Sequence, residues 1–297
     1  MQSAMQKGLT SIIIVTADSG PTTRACVARA LDSDVPVEVI LVDNGSSDGE
    51  PEAIARARSE DHRLRVVYNR ANLGFGAAVN HGARQAEGDH LLILNPDCLL
   101  EADTVSRLRE ALDSHLQGGL VGAVICDEEG EIDPASRRRD PLLHRALATM
   151  RGRDRGDGEH AREGVYVYGA MPEGVTEEEA VSGALMLLKR RVFERVEGFD
   201  TGYFLHCEDL DLCRRVRDAG YEVLLAGQVR VVHAGGSSSR HRPVFVSRHK
   251  HAGMWRWFRK FDPAARNPFT ALFVWSGLWA HFLLGVPRLI ASRRSSG

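Results

Sequence analysis

Along the first hundred positions, two hydrophobic rhythms alternate. The runs LTSIIIVTA (residues 9–17), VEVILVDNG (37–45), LRVVYNR (64–70) and HLLILNPD (90–97) are short, β-branched and closed by turn residues, which is the pattern of buried parallel strands. Between them, TTRACVARALDS, GEPEAIARARSE and FGAAVNHGARQAEG place apolar residues at helical spacing and leave a polar face. This alternation predicts an α/β fold with a doubly wound, mostly parallel sheet. Ligands of such sheets sit beyond the carboxyl ends of the strands, where Asp43, Asn95 and Asp97 fall.

Farther along, EADTVSRLREALD predicts a helix with acids in its first turn, and LVGAVICDEEGEI predicts a strand running into a turn. From Arg137 to Glu163 the pattern dissolves into eight arginines and five acids, which reads as a mobile surface loop that orders on binding. Periodicity returns in AVSGALMLLKRRVFERVEGFD, a buried strand leading to a helix, and in EDLDLCRRVRDAGYEVLLAG, a helix followed by a strand.

Composition adds limits. With 297 residues, 43% hydrophobic and 26% charged, the chain has the makeup of a folded globular protein. Its five cysteines are scattered without CxxC pairing, which argues against a zinc knuckle or a disulfide framework and fits a reducing compartment. No secretory signal is expected at the start. A dinucleotide oxidoreductase is disfavoured because the first strand is not followed by GxGxxG.

Charge separates the ends of the chain. From Arg240 onward there are eleven Lys or Arg and one acid, a balance of +10, which leaves −12 for residues 1–239 within the overall −2. The four tryptophans, Trp255, Trp257, Trp275 and Trp279, lie in this tail, within MWRWFRKF and LFVWSGLWAHFLLGV. Aromatic rings mixed with cations suit an anionic membrane surface, and no nucleic-acid-binding signature accompanies the charge. The eighteen residues between Pro268 and Pro287 predict an amphipathic, membrane-associating helix lying in the interface. At 1.5 Å per residue it would reach roughly 27 Å, short of a bilayer core of about 30 Å. The same surface could instead pack on the domain or on the second subunit of a homodimer.

Candidate chemistry gathers at the predicted strand ends. Asp43 in VDNGSSDG can accept a hydrogen bond from the ring N–H of uracil or thymine, or simply stabilise its Asn-Gly turn. Asn72, Gly74, Gly76 and Asn80 in NLGFGAAVNHG form a glycine-bearing loop ahead of a helix that lets a nucleotide approach the backbone. Asp97, two residues beyond Asn95, can hold a divalent cation or cap a turn. Glu208 and Asp209 open a helix, where they either stabilise its dipole or supply a general base; Asp211 faces elsewhere and is expected to pair with Arg214 or Arg215. His233, at a strand end before a glycine-serine loop, is a further metal-ligand candidate.

Taken together, SIIIVTADSG, ILVDNGSSDG, NLGFGAAVN, LLILNPD, SGALMLLKRRVFERVEGFD, YFLHCEDLDLCRR and VRVVHAGGSS, in this order over about residues 9–239, resemble the inverting family 2 glycosyltransferases of the GT-A fold, nearest their rhamnosyltransferase-like branch. The resemblance implies a single Rossmann-like GT-A domain over 1–239, with a donor half at about 9–100 and an acceptor half at about 101–239, followed by the basic helical tail 240–297. Thr16, Asp18, Asp43, Asn72, Gly74, Asn80, Asn95 and Asp97 would bind the nucleotide-sugar. Asp97 and His233 would hold Mg²⁺ or Mn²⁺. Asp209, or as second choice Glu208, would deprotonate the acceptor. Ser182, Gly183, Ala184 and Glu208 would line the acceptor site. The aromatic that the family commonly places after the first strand is missing, because Thr16 is followed by Ala17 and Asp18.

The branch further implies dTDP-β-L-rhamnose as donor and a polyprenyl-diphosphate-linked saccharide as acceptor, in cell-surface polysaccharide synthesis at the inner, cytoplasmic face of the membrane. Two alternatives are transfer of galactofuranose or N-acetylglucosamine from a UDP-sugar, and a catalytically silent nucleotide-sugar-binding scaffold.

Overall fold

A computed structural model describes residues 5–153, 163–234 and 242–295, with the side chains of 292–295 left aside. The first half follows the predicted alternation: β1 (Gln6–Thr16), α1 (Thr22–Leu31), β2 (Val37–Asp43), α2 (Glu50–Ala57), β3 (Leu64–Tyr68), α3 (Phe75–Gln85) and β4 (Gly88–Leu94). The second half contains β5 (Cys98–Leu99), α4 (Thr104–Asp113), β6 (Gly118–Cys126), α5 (Leu143–Met150), β7 (Val175–Glu177), β8 (Leu185–Lys189), α6 (Arg190–Arg195), α7 (Glu208–Asp218) and β9 (Glu222–His233). Two helices close the chain, α8 (Pro243–Phe261) and α9 (Pro268–Ser295).

The described strands form one sheet in the order β3-β2-β1-β4-β8-β6-β9-β5, with β7 added on β9. Ile12 and Ile14 of β1 pack with α1 and α4 on one face, and Ile13 and Val15 pack with α3 and α7 on the other. A strand buried on both faces must be apolar throughout, which is why these runs show no period-2 alternation.

Parallel pairing holds among β1, β2, β3 and β4 and between β6 and β9, whereas β8 runs antiparallel to both β4 and β6. The expectation of a mostly parallel sheet therefore describes the first half better than the second. Reversal of β8 matters for function. An antiparallel strand begins beside the end of its neighbour, so residues 182–184, which lead into β8, meet residues 95–97, which leave β4.

The arginine-rich stretch is not a mobile loop in its described part. Ser136, Arg138 and Asp140 are buried while the residues between them are half-buried, a strand-like alternation in polar residues. Each buried member has a partner: the Ser136 hydroxyl with the Ile125 backbone, Arg138 with Asp209, and Asp140 with Arg214 and Arg217. Residues 154–162 of this expected loop lie outside the described residues.

The tail divides in two. Helix α8 is part of the body: Trp257 is buried in the main core, Lys260 bonds Asp211 and Asp200, and Arg256 bonds Asp200. Helix α9 touches α8 through His251 Nε2 and His281 Nδ1, 2.9 Å apart, but leaves Phe269, Phe273, Leu283 and Leu284 exposed. Pro287 does not end it, contrary to the expected eighteen-residue segment. The apolar stretch covers Pro268–Ala291, 24 residues with mean hydropathy 1.6. At 1.5 Å per residue that is about 36 Å, so length no longer argues against a membrane crossing.

Candidate active site

Strand β4 stops because Pro96 has no N–H to continue the ladder; the chain instead turns, with Cys98 N–H donating to Asn95 O at 3.1 Å. The turn delivers Asp97 to the end of β9, where Cys98 pairs with His233. Asp97 Oδ1 lies 3.0 Å from His233 Nε2, and Asn95 Nδ2 is 3.5 Å from the same nitrogen. This hydrogen bond to Asp97 raises the His233 imidazole above its ordinary range.

Asp97, His233 and Cys98 present ligand atoms within 4.8 Å of one another. Cys98 is a poor member of that set. It is completely buried, burial pushes its thiol well up, and Sγ points to Ala184 O at 3.5 Å. The remaining carboxylate oxygen and imidazole nitrogen are donors that suit Mg²⁺ or Mn²⁺.

The segment before β8 links this corner to the acids of α7. Asn95 N–H donates to Ala184 O at 2.9 Å, and Gly183 N–H donates to Asp209 Oδ2 at 3.2 Å. Ser182 turns inward, with Oγ accepting from Ala184 N–H. Ser182, Gly183, Ala184, Asn95, Asp97, His233 and Asp209 thus form one continuous rim.

Glu208 and Asp209 are both held at the start of α7, behind two consecutive left-handed residues, His206 and Cys207, each at φ 68°. Their environments separate them. Burial alone would raise the Asp209 carboxyl, but the Arg138 guanidinium 2.6 Å from Oδ2 outweighs it and holds the acid below the usual carboxylate range. Among the described residues Glu208 has no such ion-pair partner: burial first, and the Asp209 charge second, push it up to about 8. Its Oε2 is buried without a hydrogen-bond partner among the described residues. Asp211 is fully buried and bonds Arg215, as expected, and also Lys260; Arg214 goes instead to Asp140 and Asp218.

On the donor side, Thr16, Asp43 and Tyr68 lie side by side at the ends of β1, β2 and β3. Asp43 is buried and its Oδ1 accepts from Ser46 N–H at 2.8 Å, so it stabilises the turn while Oδ2 is not engaged by any described side chain or N–H. Asp18, left-handed at φ 53°, accepts from Ser47 N–H and Oγ and ties the loop after β1 to the loop after β2. Asn72 Oδ1 accepts from Asn44 Nδ2 and from Gly74 N–H. Gly74 must be glycine: its φ is +86°, and a Cβ would sit 2.7 Å from Phe204 O. Asn80 is not brought to this rim. Both ends of its amide bond the Phe199 backbone, at 2.8 and 2.9 Å, which fastens α3 to the loop after α6.

A family model for glycosyl transferase family 2 matches residues 11–195, well over half of the chain. The chain belongs to this family. Similar relatives include the N-acetylglucosaminyl-diphospho-decaprenol L-rhamnosyltransferase of Mycobacterium tuberculosis, 28% identical over 82% of this chain and 86% of that protein. The rhamnosyltransferase WbbL of Escherichia coli is 24% identical over 69% of this chain and 85% of its own length. Among solved structures, a Pyrobaculum calidifontis mannosyltransferase in complex with GDP-Man and Mn²⁺ shares the fold with a TM-score of 0.59 at 19% identity, over 98% of this chain and 76% of that one. GalNAc-T7 with UDP, GalNAc and Mn²⁺ gives 0.60 at 16% identity, over 87% and 50%.

In this family 2 glycosyltransferase, two further site residues escape a reading of the sequence. Asn44 is buried and holds the donor-side loop, accepting from Leu73 N–H and Asn69 Nδ2 while donating to Asn72 and Gly74 O. Its adjacency to Asp43 in the Asn-Gly turn was the available signal. Arg138 stands among identical neighbours in SRRRD, and only the alternation of burial along that run distinguishes it.

Proposed function

We propose that this glycosyltransferase moves L-rhamnose from dTDP-β-L-rhamnose to a polyprenyl-diphosphate-linked saccharide, with inversion at the anomeric carbon. One observation carries the reading. The Ser182–Ala184 segment touches both Asn95 of the donor-side turn and Asp209 of α7, so donor and acceptor groups share one rim. Similarity to the mycobacterial lipid-linked rhamnosyltransferase over most of both chains supports the choice of sugar and acceptor.

Asp43 takes the base imide, and Thr16, Asp18, Asn72, Gly74 and Asn95 shape the nucleotide site around it. Asp97 and His233 are the residues that would hold Mg²⁺ or Mn²⁺. The chemistry a divalent cation supplies when bound there is neutralisation of the departing diphosphate. Asp209 is the base. It takes the acceptor hydroxyl proton as the acceptor oxygen bonds C1 from one face, and the C1–O bond to the nucleoside diphosphate breaks on the other with the electron pair leaving on the diphosphate. Glu208, held neutral by burial, donates a hydrogen bond to the acceptor sugar beside that hydroxyl. The domain expected over residues 1–239 extends through α8, whose Trp257 and Lys260 belong to its core and its α7 contact, and exposed α9 with its basic flanks anchors it on anionic lipid at the cytoplasmic face, where the acceptor resides.

The test is product analysis. Purified protein with Mn²⁺ and a polyprenyl-diphosphate N-acetylglucosamine acceptor is expected to turn over dTDP-rhamnose and yield an α-L-rhamnoside by mass and linkage analysis. Turnover of UDP-galactofuranose or UDP-N-acetylglucosamine alone would replace the donor. Nucleotide binding with no transfer from any donor would leave the scaffold reading.

A further inference from the structure

Arg138 sits in a run with no apolar period, yet it is one of the most constrained residues of the rim. Its N–H donates to Ala180 O, its carbonyl accepts from Ala180 N–H, and its side chain is buried. One guanidinium nitrogen donates to both Val181 O, at 2.5 Å, and Asp209 Oδ2, at 2.6 Å. Asp209 Oδ2 also accepts from Gly183 N–H, while among the described residues Oδ1 accepts only from Leu210 N–H at 2.8 Å. A carboxylate oxygen offers about two acceptor sites, so Oδ2 is saturated and Oδ1 keeps one.

We propose that Arg138 is a positioning residue for the transfer: by occupying Oδ2 of Asp209 it leaves Oδ1 as the atom that takes the proton of the acceptor hydroxyl. This rests on the assignment of Asp209 as base. The groups that face Asp209 are Arg138 itself, Glu208 beside it, His206 ahead of α7, and the buried thiols Cys207 and Cys213; Lys250 of α8 faces His206. Among the described residues Arg138 is the one permanent cation in direct contact. It therefore sets both the direction of the carboxylate and the pH at which it ionises.

The experiment compares wild type, Arg138→Met, Arg138→Lys and Asp209→Asn in the full chain. It measures kcat and KM against pH with dTDP-rhamnose, or with whichever UDP-sugar is turned over, and follows the Asp209 carboxyl by ¹³C NMR. Arg138→Met is expected to lower kcat about 100-fold with donor KM unchanged. The acid limb of kcat/KM and the Asp209 titration should both rise by about one to three pH units. Arg138→Lys, which keeps the charge but loses the fixed N–H directions, should hold the limb near wild type and lower kcat about tenfold. If Arg138→Met does not fold, a Lys variant with wild-type kcat overturns the proposal. Turnover that survives in Asp209→Asn removes the base assignment itself. A dead Asp209→Asn alongside an Arg138→Met whose kcat, limb and carboxyl titration all match wild type removes only Arg138.

Discussion

Gly183 and Asp209 approach so closely that a Cβ built on Gly183 would lie 2.9 Å from the Cβ of Asp209 and 3.1 Å from its Oδ2. The turn before β8 and the first turn of α7 are in contact through the absence of a side chain. Gly183→Ala must push the carboxylate away from Arg138 and from the place proposed for the acceptor. The expected outcome is a fall in kcat of about 100-fold, since displacements near 1 Å at a reacting group cost that much, with a stability loss of about 1–3 kcal/mol from overpacking. Turnover assays with calorimetric titration of the nucleotide would check this; a variant with wild-type kcat would show that the contact does not fix Asp209.

His233 and Asp97 are joined by a hydrogen bond of 3.0 Å and offer one nitrogen and one oxygen to a cation. His233→Ala should weaken Mn²⁺ binding at least tenfold, on the order of what the loss of one orienting partner does to a metal site. Electron paramagnetic resonance of added Mn²⁺ measures it directly. Unchanged affinity would remove His233 from the ligand set, and loss only in Asp97→Asn would leave the carboxylate as the single anchor.

Glu208 makes stability depend on pH with a definite sign. Its carboxyl ordinarily ionises near 4.5, and in the fold it is pushed up to about 8. Between those values the unfolded chain has released a proton that the folded protein keeps, so stability falls as pH rises through that window, by on the order of a few kcal/mol. Glu208→Gln should flatten the slope. Urea denaturation at pH 5 and pH 8 reads it, and an equally steep slope in the variant would assign the effect elsewhere.

The two tail helices should behave differently when removed. Deleting 268–297 takes away the exposed apolar helix and should release the protein from vesicles of anionic lipid while leaving it folded. Deleting from 243 onward also removes Trp257 from the core and Lys260 from fully buried Asp211, and should cost several kcal/mol, as stripping one partner from a buried ion pair does. Vesicle sedimentation and thermal melts separate the two. Membrane retention of the shorter deletion would transfer the anchor to the body of the protein.

What the sequence alone determined is whatever local pattern encodes. Short isoleucine and leucine runs with no polar break read as doubly buried strands, and those of β2 and β4 ended where an Asn-Gly pair and Pro96 stopped them. Asp43, Asp97 and Asp209 were therefore legible as acids at element ends, and the tail as cationic and aromatic. Tertiary structure decided which of these meet. Reversal of β8 brings Ser182–Ala184 against Asn95 and Asp209. Packing elsewhere fastens Asn80 to Phe199 and sets Arg138 on Asp209, Asp140 on Arg214 and Arg217, and Asp211 on Lys260 as well as on its near neighbour Arg215. Helix α8 likewise owes its place to Trp257 and Lys260 reaching the core and α7. The physical reason is the same in each case. Hydrophobic periodicity is set by near neighbours along the chain, whereas a buried charge is tolerated only where a counter-charge arrives from elsewhere, and no local pattern records that arrival.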